Sequence, residues 1–246
     1  MKKSVKITIK IISALIFLGY IGISLWRVTA EYKHMYGTYW SLLAVTYFIP
    51  AFLHECGHAL FGFFSGVRAK INFKSMLSVF KPSSTEIIPR TDKNLKPRLI
   101  ITASGGLIVN LIFIIFGVIA MIVPQIPVWL SGMAVYHLAL FLINVLPDEY
   151  SGGKTDGLII AELIKGEDGA KVMLAVLTVQ AQVLNGKPIE DVDEKLLFDL
   201  PQIREDEPAF ISLTELRAEY FAAKGDQENA QKYKSRFEQL KEDYIN

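Results

Sequence analysis

Apolar residues dominate the first two thirds of the chain, in four runs separated by polar or turn-forming stretches. The runs cover residues 11–26, 40–65, 99–123 and 128–146. Long apolar runs of this kind are typical of helices that cross a bilayer, whose hydrocarbon core is about 30 Å thick. The pattern therefore predicts an all-α, polytopic membrane protein with about four transmembrane helices.

Two polar regions complete the pattern. Residues 67–98 carry many lysines and arginines and few acidic residues, and the alternation over residues 68–74 predicts a short strand or hairpin beside the membrane. From Asp156 onward, charged residues recur every few positions with helical periodicity. The helical stretches are Ala170–Leu184, Ser212–Lys224 and Gln227–Tyr244. They predict a soluble helical tail.

These regions predict three domains. They are residues 1–39, an N-terminal signal-anchor helix with an interfacial linker from Arg27; residues 40–160, a membrane core that includes the loop 67–98; and residues 161–246, a soluble cytoplasmic helical domain. Two alternatives stay open. Residues 28–30 could be a signal-peptidase site, so the first helix could be cleaved rather than retained. Residues 218–233 resemble the turn of a tetratricopeptide-type hairpin, for which a generic helical hairpin is the alternative.

The positions of the charged residues along the chain predict how the protein is oriented in the membrane. The 246 residues are 51% hydrophobic and carry a formal net charge of +1, with a mean hydropathy of +0.32. A near-neutral total gives no sign of nucleic-acid binding, and none is predicted. Lysines within residues 2–10 and the basic loop 67–98 follow the positive-inside rule. They predict a multi-pass protein of the cell membrane with both termini and this loop in the cytoplasm.

The candidate chemistry lies in the second run, where residues 54–58 read H-E-C-G-H, the H-E-x-x-H pattern. On a helix, His54 and His58 share one face, so two imidazoles can bind a single Zn²⁺, and Glu55 can take a proton from a water there. Ionisable residues at hydrocarbon depth are costly and usually functional. The alternative is a polar kink whose histidines bond to neighbouring helices. Cys56, the lone cysteine, excludes an intramolecular disulfide and points away from the histidine pair.

A catalytic zinc site typically has three protein ligands, so the histidine pair needs one more donor. Asp148 and Asp156 both follow the fourth run, which returns to the side of the histidine pair. His137, inside that run, is a rival that lies nearer the opposite leaflet. The pattern alone leaves the choice among these three open.

Three motifs together resemble the site-2 protease family of intramembrane zinc metalloproteases. They are His54-Glu55-x-x-His58, Gly106-x-x-x-Asn110 in the third run, and Asn144-x-x-Pro147 with Asp156-Gly157 after the fourth. The resemblance covers residues 40–160. It implies that His54, His58 and Asp156 bind zinc, that Glu55 is the general base, and that Asn144 lies beside the reaction centre.

The sequence departs from the family pattern at two places. Leu107 stands where the family commonly has a proline, and Asp156-Gly157 follows Pro147 at a greater distance than usual. Residues 148–155 are then a flexible insertion that still returns Asp156 to the site. Asp156 is preferred to Asp148 because the glycine after it matches the motif.

The resemblance implies a zinc-dependent intramembrane endopeptidase that hydrolyses a peptide bond in a membrane-embedded protein or peptide. Regulated proteolysis, signal-peptide clearance and peptide maturation are all possible roles. Asn144 would be catalytic together with Glu55, whereas Asn110 and Gly106 would bind substrate, although packing explains the last two equally well. The expected partners are the substrate, the lipid bilayer and a protein that binds the tail. Two other functions stay open: a non-proteolytic accessory or chaperone module with a structural metal site, and a metal transporter.

Overall fold

The computed structural model describes residues 3–31, 48–71, 85–127, 130–150 and 153–245. Its helices are α1 (Lys3–Glu31), α2 (Phe48–Ser65), α3 (Leu95–Ile122), α4 (Leu130–Val145), α5 (Asp156–Lys165), α6 (Asp168–Leu184), α7 (Lys195–Phe198), α8 (Pro208–Ala223) and α9 (Gln227–Ile245). Its strands are β1 (Val67–Ile71), β2 (Thr85–Pro89), β3 (Glu149–Tyr150) and β4 (Gly153–Lys154). The described chain is mostly helical, as predicted.

Two helices in the described part of the chain are long and apolar enough to cross a membrane, Ser4–Ala30 within α1 and Leu95–Ile122, which is α3. Their outer faces are apolar: Leu18 on α1 and Phe116 on α3 are each 62% exposed. Large apolar surfaces of this kind suit lipid better than water. The other two predicted crossings are less complete, since α4 has 16 residues and α2 is described only from Phe48. Four crossings therefore remain a prediction.

Helix α1 continues past the point where the sequence pattern placed a linker. The linker was predicted from Arg27, but the helix extends through Arg27 to Glu31. Arg27 donates from Nε to the carbonyl oxygen of Met121 at 3.1 Å, so its guanidinium has a partner on α3 and the helix need not end there. Residues 32–39 of the predicted linker lie outside the described residues.

Helices α1 and α4 run antiparallel. The Tyr20 hydroxyl donates to the carbonyl oxygen of Ser131, near the start of α4, at 2.9 Å. At the other end, Lys6 lies 3.2 Å from a carboxylate oxygen of Asp148, just after α4, and Lys10 pairs with the second oxygen. The basic start of α1 is thus bound to the loop that leads to Asp156.

Helices α2 and α3 approach closely through glycine. A Cβ on Gly57 would lie 2.5 Å from the carbonyl oxygen of Gly105, and a Cβ on Gly105 would collide with the carbonyl of Gly57. Only residues without a side chain allow two helix backbones to come this near. The contact fixes the separation of the helix that carries the histidines from the helix that carries Asn110.

A small hairpin and the start of the tail meet at one end of α3. Strands β1 and β2 are antiparallel, with Val67 opposite Pro89, which confirms a hairpin in the basic loop. Residues 72–84 lie outside the described residues. Val67 packs with Leu95 of α3 and Leu163 of α5 in one buried cluster. The hairpin, the start of α3 and the tail are therefore held together at this end.

The tail contains the predicted helices, with α6, α8 and α9 matching the three periodic stretches. Its core is formed by Val172, Val176, Val179, Val192, Leu197, Leu213, Leu216 and Tyr220. The predicted break between the last two helices is also present, because Gly225 has a φ of 79° and the Asp226 carboxylate accepts from the Asn229 amide at 3.1 Å. Helices α8 and α9 thus form a helical hairpin.

We predict that Gly105→Ala destabilises the fold by about 1–3 kcal/mol, because its methyl group overpacks the contact between α2 and α3. Gly22→Ala is the matched control, since a Cβ at that helical glycine meets nothing within 4 Å. It is expected to leave stability unchanged or slightly raised. Thermal unfolding of both full-length variants in detergent measures the difference. Equal midpoints for the two variants would contradict the described helix contact.

The Asp148 ion pairs predict a pH dependence. Lys10, followed by Lys6, lowers the pKa of Asp148 from 3.8 to about 2. A carboxyl whose folded pKa is depressed stabilises the fold fully above its unfolded pKa and loses that contribution as the pH falls towards the folded pKa. Asp148→Asn should therefore lower the unfolding midpoint at pH 6 and have a much smaller effect near pH 2. Asp206→Asn, at a 73% exposed side chain, is the control and should change little at either pH.

Candidate metal centre

The two histidines of α2 point into the helix bundle and face one another. His54 and His58 are 5% and 7% exposed, and their Nε2 atoms lie 3.1 Å apart. Four residues separate them, so one helix places both imidazoles on the same face one turn apart. Two nitrogen donors therefore converge on one point at the buried face of α2.

Asp156, the first residue of α5, completes this group from a different part of the chain. Its Oδ2 lies 3.3 Å from Nε2 of His54, and its Oδ1 lies 3.4 Å from Nε2 of His58. One donor atom from each of the three residues lies within 4.8 Å of the others. The structure thus brings the three predicted metal ligands together, whereas Asp148 pairs with the lysines of α1.

Thr155 fixes the start of α5 and hence the position of Asp156. Its side chain caps the helix by accepting from the Leu158 amide at 3.1 Å, and it donates to the Leu146 carbonyl oxygen at 2.5 Å. The backbone amide of Thr155 also donates to the Asp148 carbonyl oxygen at 3.0 Å. Sequence reasoning missed this residue, although a threonine directly before a helical stretch is a recognisable N-cap signal.

The segment between Pro147 and Asp156, predicted to be a flexible insertion, is a short hairpin in its described part. Strands β3 and β4 pair antiparallel, with Glu149 opposite Lys154. Gly157 follows the ligand, and a Cβ there would collide with the carbonyl of Val145 at the end of α4. The hairpin takes up the extra residues, and the glycine lets α5 begin directly against α4.

Lys154 links this hairpin to the tail. Its ammonium lies 2.9 Å from a carboxylate oxygen of Glu162 on α5 and 2.7 Å from one of Glu207, which immediately precedes α8. Burial of Lys154 opposes its charged form, but the bonds to Glu207 and Glu162 outweigh burial and raise its pKa. Lys154, two positions before Asp156, is therefore anchored to the helices of the tail.

Gly106 provides the space in which the histidines meet. A Cβ at this position of α3 would lie 2.5 Å from Cε1 of His54 and 2.6 Å from Nε2 of His58. Any side chain would therefore displace the imidazole pair. The sequence predicted that Gly106 binds substrate, and that role remains a prediction.

The outer nitrogen of each histidine has a partner on α3. His58 Nδ1 lies 2.9 Å from the carbonyl oxygen of Thr102, and His54 Nδ1 lies 2.9 Å from Nδ2 of Asn110. Oδ1 of Asn110 in turn lies 2.9 Å from Nδ1 of His137 on α4. Partners of this kind fix the orientation of a metal-binding imidazole. His137, considered as a third ligand from sequence, instead lies behind His54.

The two predicted catalytic residues occupy different surroundings. Glu55 is 4% exposed on α2, directly after His54. Asn144 is half-buried near the end of α4, where its side-chain amide donates to the Leu140 carbonyl oxygen at 3.1 Å. The backbone carbonyl oxygen of Asn144 lies next to Gly157 at the start of α5, since a Cβ added to Gly157 would lie 3.0 Å from that oxygen. The roles of both residues remain predictions.

The donor set suits a divalent transition metal. Two imidazole nitrogens and one carboxylate oxygen are ligands that zinc binds in catalytic sites, where a fourth position stays open. Oδ2 of Asp156 is buried without a hydrogen bond among the described residues, although Nε2 of His54 lies nearby. A buried, unsatisfied carboxylate oxygen costs free energy that a bound cation would offset. The residues present therefore fit a metal ion.

The fold and the site define a mostly helical protein with two candidate membrane-spanning helices and a His-His-Asp group that could hold a metal ion. The chain matches no protein-family model, no curated protein and no solved structure. The resemblance to the site-2 proteases rests on the sequence motifs and remains a prediction.

We predict that the purified chain binds about one zinc ion and that Asp156→Asn or His58→Ala removes most of it, since each deletes one of three protein ligands. Asp148→Asn is the matched control, because Asp148 pairs with Lys6 and Lys10 rather than with the histidines. Elemental analysis after dialysis measures the zinc content. Loss of zinc in the Asp148 variant and its retention in the Asp156 variant would contradict the assignment.

Proposed function

We propose that the protein is a zinc-dependent intramembrane endopeptidase that hydrolyses a peptide bond in a membrane-embedded protein or peptide. The observation that supports this most is the convergence of His54, His58 and Asp156 from two separate helices. A glutamate adjacent to the first histidine distinguishes the group from a purely structural metal site, which needs ligands and no base.

Zinc, when held by these three side chains, would activate a water molecule for attack and polarise the carbonyl of the scissile bond. The protein supplies the remaining chemistry. Glu55 would take a proton from the attacking water and deliver it to the nitrogen of the leaving amine as the C–N bond breaks. Because Glu55 is almost fully buried, it performs this transfer away from bulk solvent.

The surroundings of the site support a substrate that comes from the membrane. Phe63 and Phe64 on α2 are 60% and 77% exposed, and the long helices α1 and α3 also present apolar outer faces. Lipid is the environment that matches such faces. A peptide that reaches the histidine face of α2 would therefore approach along apolar surface.

A helical substrate must be unwound before its backbone can reach the metal centre, since its carbonyls are otherwise hydrogen-bonded. In this proposal the amide side chain of Asn144 hydrogen-bonds the unwound substrate backbone or the developing oxyanion. The contact of its backbone with Gly157 supports this role, because it places the end of α4 against the helix that carries Asp156.

We propose a multi-pass orientation in the cell membrane with both termini in the cytoplasm. Support comes from the positions of the charged segments. Lys6 and Lys10 of α1 bind Asp148 in the loop that leads to Asp156, and the basic hairpin packs with α5 at the same end of α3. Basic residues that gather at one end of a helix bundle mark the cytoplasmic end.

Glu55→Gln is expected to retain zinc and to lose peptide hydrolysis by about 10²–10⁴-fold, the usual contribution of a general base. The probe is a single-span synthetic peptide, labelled at both ends and reconstituted with the full-length protein in phospholipid vesicles. Zinc content is measured on the same samples. Asp206→Asn, at a 73% exposed side chain, is the matched control and is expected to cleave at the parent rate.

Hydrolysis by Glu55→Gln at the parent rate with a full zinc site would contradict the proposed base. No hydrolysis by the zinc-loaded parent would favour the alternative, a structural metal site in a non-proteolytic membrane module.

A further inference from the structure

A line of polar side chains extends from the metal centre into the bundle core. Nδ1 of His54 lies 2.9 Å from Nδ2 of Asn110, and Oδ1 of Asn110 lies 2.9 Å from Nδ1 of His137. Asn110 and His137 are both 0% exposed. Because these groups have no access to water, each must find its hydrogen-bond partner within the line. Whether the Asn110 amide donates to a histidine nitrogen or accepts from it therefore determines which nitrogen of that ring carries the proton.

The two histidine ligands are held by chemically different partners. His58 Nδ1 faces the backbone carbonyl of Thr102, which can only accept, so neutral His58 carries its proton on Nδ1 and keeps Nε2 free for a metal. His54 Nδ1 faces a side-chain amide, which can donate from one end or accept at the other. The ring nitrogen that carries the proton of neutral His54 therefore depends on which end of the Asn110 side-chain amide faces it.

With Nδ2 of Asn110 facing His54, the amide donates to Nδ1 and the proton of neutral His54 lies on Nε2. The 3.1 Å contact between the Nε2 atoms of His54 and His58 agrees with this state, since one ring then donates to the other. A protonated ring nitrogen has no lone pair for a metal. Binding through His54 Nε2 therefore requires the opposite orientation of the amide.

We propose that Asn110 is a positioning residue that sets the tautomer of His54 for metal binding by turning its amide, with His137 as the responding partner. This inference rests on the proposed function. In the metal-binding arrangement Oδ1 of Asn110 accepts from His54 Nδ1–H, and Nδ2 donates to His137 Nδ1. Each imidazole stays neutral, and its one proton moves to its other ring nitrogen, so no net charge enters the core.

The surroundings of His137 suit this role. Its ring stacks on Phe113, with centroids 4.3 Å apart and an angle of 4° between the planes, so the ring is held in one orientation. Its Nε2 is buried without a hydrogen-bond partner among the described residues. That nitrogen can carry a proton or a lone pair without breaking a described bond, which leaves His137 able to adopt either tautomer.

Nitrogen NMR of the full-length protein, labelled with ¹⁵N-histidine, tests the inference without any substitution. The chain has four histidines, so the ring signals can be assigned. We expect the zinc-loaded protein to carry the proton of His54 on Nδ1 and that of His137 on Nε2. His54 bound to zinc through Nδ1, or His137 protonated on Nδ1 in the loaded protein, would overturn the inference.

Substitutions provide a second readout through zinc affinity, measured by competition with a chelator. Asn110→Leu, which removes the acceptor, should weaken zinc binding by about 10–100-fold, the usual effect of losing such a partner. Asn110→Asp, whose carboxylate can accept from both histidines, should restore most of the affinity. Equal weakening by both variants would indicate a role in packing only and would overturn the inference. Ser104→Ala is the matched control on α3, since its hydroxyl bonds to the Ile100 carbonyl oxygen of the same helix.

The two proposals fail in different ways. Zinc bound with the expected tautomers but without peptide hydrolysis would refute the endopeptidase and support the role of Asn110. Hydrolysis that depends on Glu55, with zinc bound and the tautomers reversed, would refute the role of Asn110 alone. A chain that binds no zinc would overturn both.

Discussion

The contact of two glycine backbones is the constraint on which the rest of the structure depends. Because Gly57 and Gly105 lie face to face, α2 and α3 come close enough for α3 to supply partners to both histidines of α2. One residue further along α3, Gly106 leaves the volume that the two rings fill. The absence of glycine side chains at this helix crossing leaves space next to α3, and the buried imidazole rings of His54 and His58 occupy it.

The third donor depends on a longer chain of contacts. Asp156 reaches the histidines because Thr155 caps α5, Gly157 lets that helix start against α4, and Lys154 holds the preceding strand to the tail. None of these residues is a ligand. The tail, whose sequence carries no recognisable chemistry, is therefore connected through these contacts to the His-His-Asp group that could hold a metal ion.

The sequence predicted the helical character, the tail helices, the basic hairpin and the pairing of His54 with His58, since each has a local signal of periodicity or spacing. The choice of Asp156 as the third member of the group came from the motif resemblance, because the pattern alone left Asp148 and His137 open. It did not predict the continuation of α1 beyond Arg27, because the partner that satisfies this guanidinium is the Met121 carbonyl on another helix. Nor did it predict that the side chain of Asn110 lies within hydrogen-bond distance of both His54 and His137. The substrate-binding role of Asn110 remains a prediction. Local pattern does not specify which distant side chain completes a buried hydrogen bond.

The Lys154 anchor has a consequence for biogenesis. Ribosomes deliver the chain from its amino terminus, so α2 leaves the exit tunnel well before the segment around Glu207, which binds Lys154. Until that segment has been synthesised and α8 has docked, the hairpin before Asp156 lacks one of its two anchors. The hairpin that positions Asp156 therefore gains its full set of described anchors only late in translation.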